Sequence, residues 1–68
     1  MTARIEVDWH AETARADWGA GVYRLICYRH EDTRPVYEIE TPQGTVTRVG
    51  GFRGGVRWLY DRMMQECE

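Results

Sequence analysis

Phe52-Arg53-Gly54-Gly55-Val56-Arg57-Trp58-Leu59-Tyr60-Asp61-Arg62-Met63-Met64-Gln65-Glu66-Cys67 is the only stretch with sustained helical spacing, and its reading decides the fold. At about 100° per residue, Val56, Leu59, Tyr60, Met63 and Cys67 share one side of a helix. Arg57, Asp61, Arg62 and Gln65 take the other. Trp58 falls among these polar residues, against the pattern. It either lies under a loop or packs on Arg62 one turn on, or serves as an exposed anchor for a partner, a role in which Trp and Arg are over-represented. Gly50, Gly51, Gly54 and Gly55 bracket Phe52 and Arg53 where a Ser, Thr, Asp or Asn cap would otherwise stand. The helix entry is therefore loosely specified.

The segments before this helix need to supply the layer it covers. Val36 to Thr41 alternates, with Tyr37 and Ile39 on one side and Glu38 and Glu40 on the other. Thr41-Pro42-Gln43-Gly44 follows. Proline suits the second position of a type I turn and glycine the left-handed position after it. A three-residue loop then pairs Thr41 with Thr45, Glu38 with Arg48 and Tyr37 with Val49. Val22 to Arg29 carries apolar residues on both faces: Tyr23, Leu25 and Cys27 on one, Ile26 and Tyr28 beside Arg24 on the other. This marks a central strand, and matching its faces to the next strand puts Arg24 opposite Glu40. Ala3 to Trp9 alternates too, with Ile5, Val7 and Trp9 turned toward the helix and Glu6 and Asp8 away. Between these strands, Ala11 to Ala16 predicts one or two helical turns or an irregular loop ended by Gly19 and Gly21.

The expected fold is α+β: about four antiparallel strands with the C-terminal amphipathic helix packed on one face, and a short helix after the first strand. A chain of 68 residues is one domain. At that length it buries only about 60% of its unfolded surface, so its stability is modest. No apolar run reaches the roughly 20 residues of a membrane span, and the first residues have no hydrophobic signal region, so the expected location is cytoplasmic and no membrane partner is expected. Two cysteines, Cys27 and Cys67, are too few for a disulfide framework and are expected to be small buried residues.

The net charge of −2 is unevenly spread. Residues 1–41 hold five arginines and eight acids; residues 42–68 hold four arginines and three acids. A domain built to grip phosphates is more basic than this. Cys27-Tyr28-Arg29-His30 has C-x-x-H spacing, but an odd separation on a strand sends the side chains to opposite faces, and no second pair stands at zinc spacing. Serine is absent. A Cys27 dyad with His30 or His10 lacks an orienting third group. The carboxylates pair on exposed strand faces, with no pocket to separate their pKa values. No metal, cofactor or enzymatic activity is expected.

Two loci could bind a partner. Gly50-Gly51-Phe52-Arg53-Gly54-Gly55 could hold a phosphate on backbone N–H groups beside Arg48, Arg53 and Arg57. It lacks the Gly-Lys-Ser/Thr of a Walker A loop but is similar to a single arginine-glycine RNA-binding run. The other locus is the sheet face away from the helix, where Glu6, Asp8, Glu38 and Glu40 surround Ile26 and Tyr28. Acids there steer a basic protein site and the aromatic adds affinity.

A hairpin followed by a C-terminal helix, with Pro35-Val36-Tyr37-Glu38 opening a strand, resembles a double-stranded-RNA-binding domain. That family places lysines at the start of its last helix. Here Gly54, Gly55, Val56 and Arg57 stand there with Asp61 beyond, which removes the RNA-gripping function. Chain length and the acidic alternation at Glu6/Asp8 and Glu38/Glu40 resemble small phage-encoded inhibitors of the anti-CRISPR type. These share no common motif, so no residue roles carry over. The resemblance implies binding to a subunit of a CRISPR effector complex and blocking DNA entry or nuclease recruitment. The expected function is thus a non-enzymatic inhibitor that docks Glu6, Asp8, Ile26, Tyr28, Glu38, Glu40 and Trp58 on the basic site of a larger nucleic-acid-handling complex. The alternatives are a nucleic-acid-binding module using Arg48, Arg53 and Arg57, and an assembly subunit that pairs with a copy of itself.

Overall fold

Alternation dominates the chain before the helix, and each alternating segment pairs with the next. The computed structural model describes residues 3–19, 21–28 and 34–66. Among these, five strands, β1 (Arg4–Asp8), β2 (Thr13–Trp18), β3 (Gly21–Tyr28), β4 (Val36–Glu40) and β5 (Val46–Val49), precede one helix, α1 (Phe52–Glu66). The sheet is an antiparallel meander in the order β1-β2-β3-β4-β5, and α1 lies across one face of it.

The register expected around β4 is the one observed: Glu38 faces Arg48, Tyr37 faces Val49 and Arg24 faces Glu40. The β4–β5 turn sets it. Thr41 N–H donates to the Thr45 carbonyl at 2.9 Å, and Gly44 N–H to the Thr41 carbonyl at 3.0 Å. Gly44 takes φ 85°, the left-handed conformation that glycine adopts without steric cost.

The short helix expected between residues 10 and 21 is instead strand β2, which raises the strand count from four to five. Alanine is a strong helix former in isolation. Here Ala14, Ala16 and Trp18 alternate with Thr13, Arg15 and Asp17, and pairing with β1 and β3 on both sides overrides that preference. The β1–β2 turn is built by side chains. Asp8 Oδ1 accepts the N–H groups of His10 and Ala11, each at 3.0 Å, which is the local bonding Asp favours in turns. Glu12 sits at φ 56°, a conformation costing a non-glycine residue about 1–2 kcal/mol. Its carboxylate accepts the Tyr37 hydroxyl at 2.6 Å, which offsets part of that cost.

Inner-face residues of the strands meet Phe52, Gly55, Val56 and Leu59 of α1. Tyr23, Leu25, Ile39 and Leu59 are fully buried, each Leu or Ile contributing roughly 1.5–3 kcal/mol by burial. Gly55 permits the close approach: a Cβ there would lie 2.7 Å from both Leu25 methyl groups. The helix turns Val56, Leu59 and Met63 to the sheet, as expected. Tyr60, expected inside, is 45% exposed, and Trp58 is half-buried and packed on Arg62, one of the two readings its position allowed, rather than an exposed anchor. Trp58 leans on Tyr23 (centroids 6.1 Å apart), and the Arg62 guanidinium lies 5.4 Å over its ring. Trp9 was also expected inside. It lies in the turn after β1, 59% exposed, with one edge-to-face contact to Phe52 at 5.2 Å.

The C-terminal end of α1 carries an acid, Glu66, where the helix dipole disfavours one. Three partners compensate. Trp18 Nε1–H donates to Glu66 Oε1 at 3.1 Å, the Tyr23 hydroxyl donates to Oε2 at 2.9 Å, and Arg62 Nε lies 2.8 Å from Oε2. Those hydrogen bonds, from Trp18 first and Tyr23 second, hold the Glu66 carboxyl below its ordinary pKa. Tyr23, stacked on Trp18 at 4.3 Å, is pushed up by burial and by Glu66. The helix is thus latched to the β2–β3 hairpin. Among the described residues no helix is long and apolar enough to cross a membrane.

Candidate functional site

Because side chains alternate along each strand, covering one sheet face with α1 leaves the other without a second layer among the described residues. Glu6, Asp8, Glu38 and Glu40 all fall on that outer face, as their alternation requires, with Ile26 and Tyr28. Tyr28 is 43% exposed at the end of β3, opposite Val36.

The face is less uniformly acidic than the sequence led us to expect. Strand β2, absent from that expectation, adds Thr13, Arg15 and Asp17 to it. Register places Glu6 opposite Arg15, Arg15 opposite Arg24, and Arg24 opposite Glu40. Glu6/Asp8 on β1 and Glu38/Glu40 on β4 therefore form two acidic files, with Arg15 and Arg24 side by side between them and Asp17 further along β2, opposite Arg4. Adjacent strands lie about 4.8 Å apart, so the files stand about 14 Å apart. A shallow depression of about 360 Å³, lined by Glu6, Thr13, Arg15, Arg24 and Ile26 among others, runs over the β1–β3 part of this face.

The individual acids are not equally free. Asp8 is committed to the β1–β2 turn. Glu6 meets Arg4 at 2.6 Å, with both side chains exposed, and Glu38 meets Arg48 at 3.8 Å. An exposed pair such as Arg4–Glu6 contributes little to stability and exchanges readily. Among the described residues Glu40, Arg15 and Arg24 have no ion pair.

Trp58 does not join this surface. Its contacts to Tyr23, an inner-face residue, and to Arg62 place it on the helix side. The arginines of the nucleic-acid alternative are also divided. Arg48 lies on the outer sheet face beside Glu38, whereas Arg53 and Arg57 are exposed on α1 over the opposite face. Arg57 further faces Asp61 at 3.9 Å. The expected glycine loop is shorter than it looked, because Gly54 and Gly55 lie within the first turn of α1 and Gly55 is buried against Leu25.

Cys27 is half-buried on the inner face next to Tyr37. The Tyr37 pKa is pushed up to about 12, first by its hydrogen bond to Glu12 and then by burial. The C-x-x-H reading and any Cys27–Cys67 pairing involve His30 and Cys67, which lie outside the described residues. Among the described residues no group of three His, Cys, Asp or Glu side chains is arranged to hold a metal ion.

No protein-family model matches the chain, and neither a curated protein nor a solved structure matches it. The fold and the layout of the outer face are therefore the basis for a functional reading.

Proposed function

We propose that the chain is a non-enzymatic binding protein, active in the cytoplasm, that inhibits a larger nucleic-acid-handling complex, such as a CRISPR effector, by docking its outer sheet face on a basic protein site. The observation that carries this reading is a five-stranded face, uncovered among the described residues, on which Glu6, Glu38 and Glu40 stand around Ile26 and Tyr28. Acids on a rim accelerate encounter with a basic patch, and a central aromatic and aliphatic pair supplies contact area. The nucleic-acid alternative is the weaker one, because a single strand or duplex cannot engage Arg48 and the Arg53/Arg57 pair on opposite sides of the molecule at once.

The test is a gel-shift titration of purified CRISPR effector complexes on their target DNA with the added protein. Loss of effector–DNA complex at a stoichiometric ratio is expected for a susceptible effector, with no retardation of DNA or RNA by the protein alone. Glu38→Lys/Glu40→Lys should slow association, and more so at low salt. Retardation of free nucleic acid, or inhibition indifferent to that double change, would contradict the proposal.

A further inference from the structure

Arg15 and Arg24 are directly opposed on neighbouring strands, and neither has an ion pair among the described residues. Like charges placed opposite each other across a ladder are unfavourable. Each also has an acid as its other lateral neighbour, Glu6 beside Arg15 and Glu40 beside Arg24, without pairing to it. The row across the sheet therefore reads acid, arginine, arginine, acid. Two forked guanidinium groups about 5 Å apart at Cβ are spaced to share one carboxylate.

We infer that the outer face takes a protein segment with a basic-acidic-basic triplet, whose central carboxylate is held by Arg15 and Arg24 while its flanking cations meet Glu6 and Glu40. This deepens the proposed function and rests on it, because it specifies the partner's charge pattern at the same face. Charge complementarity selects the occupant. A nucleic-acid strand supplies the anion for the arginines but has no cation for Glu6 and Glu40, and it would run into both acidic files. A uniformly basic protein groove satisfies the files but leaves two arginines facing like charge. The spacing fits as well. An extended segment rises about 3.3 Å per residue, so positions four apart are about 13 Å apart, close to the roughly 14 Å from Glu6 to Glu40. Lys-x-Glu-x-Lys on an extended chain crossing the strands matches the row.

The experiment is an NMR titration of the nitrogen-15-labelled chain, following the Nε–Hε signals of Arg15 and Arg24. The probes are the blocked peptide Lys-Thr-Glu-Thr-Lys, its charge-inverted counterpart Glu-Thr-Lys-Thr-Glu, inorganic phosphate and a short DNA duplex. The first peptide should move both arginine signals saturably at low salt, and the inverted peptide should bind about tenfold more weakly. Arg15→Gln/Arg24→Gln, followed through the backbone N–H signals of Glu6 and Glu40 that both proteins retain, should abolish peptide binding while melting at or above the parent's temperature. The inference is overturned if the inverted peptide, phosphate or DNA binds as well as the first peptide, if no probe moves the signals, or if the double variant melts markedly lower, which would make the pair structural. If peptide binding fails while inhibition still depends on Glu38 and Glu40, the inference falls and the docking proposal survives. If that inhibition is absent while the peptide binds, the docking proposal falls.

Discussion

The two faces of the sheet use the same alternation for opposite ends. On the inner face, Tyr23, Leu25 and Ile39 are sealed under α1, and the polar atoms that reach it, Tyr37 and Tyr23 hydroxyls and the Trp18 N–H, are each bonded to a carboxylate of Glu12 or Glu66. On the outer face, Arg15, Arg24 and Glu40 stand in line with no ion pair among the described residues. Stability is therefore concentrated on one side, and the charged groups available to another molecule on the other. In a domain with so small a core, the difference should be measurable residue by residue.

The sharpest contrast comes from the centre of the inner face. Leu59→Ala removes a fully buried side chain and should cost about 2–5 kcal/mol in denaturant unfolding. Next come two glycines one residue apart in α1. Gly55→Ala drives a methyl group into Leu25 and should destabilise by roughly 1–3 kcal/mol. Gly54→Ala meets nothing within 4 Å and should stabilise by up to about 1 kcal/mol through helix propensity. Equal effects at the two positions would show that the helix does not press on β3 at Gly55.

Smaller effects should appear as pH dependence. Tyr37 has its pKa raised to about 12 in the folded chain from 10.0. Its contribution is complete below pH 10 and lost as pH rises toward 12. Thermal melts should therefore show an alkaline limb that Tyr37→Phe removes. Glu66 titrates in the opposite sense, because its folded pKa lies below the unfolded value of about 4.5. Its contribution is present above pH 4.5 and lost as pH falls through the lower folded value. Glu66→Gln should lower the melting temperature at neutral pH and flatten the profile at the acid end. An unchanged acid limb would show that the latch between α1 and the β2–β3 hairpin does not hold.

How much of this was legible beforehand differs by region. The β4–β5 hairpin was readable because Pro42 and Gly44 set its turn and Glu38 and Arg48 confirm the register from side-chain charge. Strand β2 was not, because its buried positions are Ala14 and Ala16. Alanine is small enough to fit either period, and the Ala-rich run reads as helix until its neighbours on both sides are known. The signal that could have found it is the strict alternation of Thr13, Arg15 and Asp17 with Ala14, Ala16 and Trp18. Missing β2 also hid Arg15, the neighbour of Arg24, so the outer face looked more acidic than it is. The inward stripe of α1, Val56, Leu59 and Met63, was legible from its spacing, but the burial of Trp58 was not. Trp58 looked misplaced on a helical wheel, but the aromatic partner that receives it, Tyr23, is a long-range contact.

The most direct test of the division between the faces needs no partner. Glu6→Gln/Arg15→Gln/Arg24→Gln/Glu40→Gln neutralises the whole row while leaving the inner face intact. Its thermal midpoint should stay within about 8 °C of the parent, since charges away from the core change stability by less than about 1 kcal/mol. A fall as large as that of Leu59→Ala would contradict the account, because the row would then be holding the sheet together rather than standing free to bind.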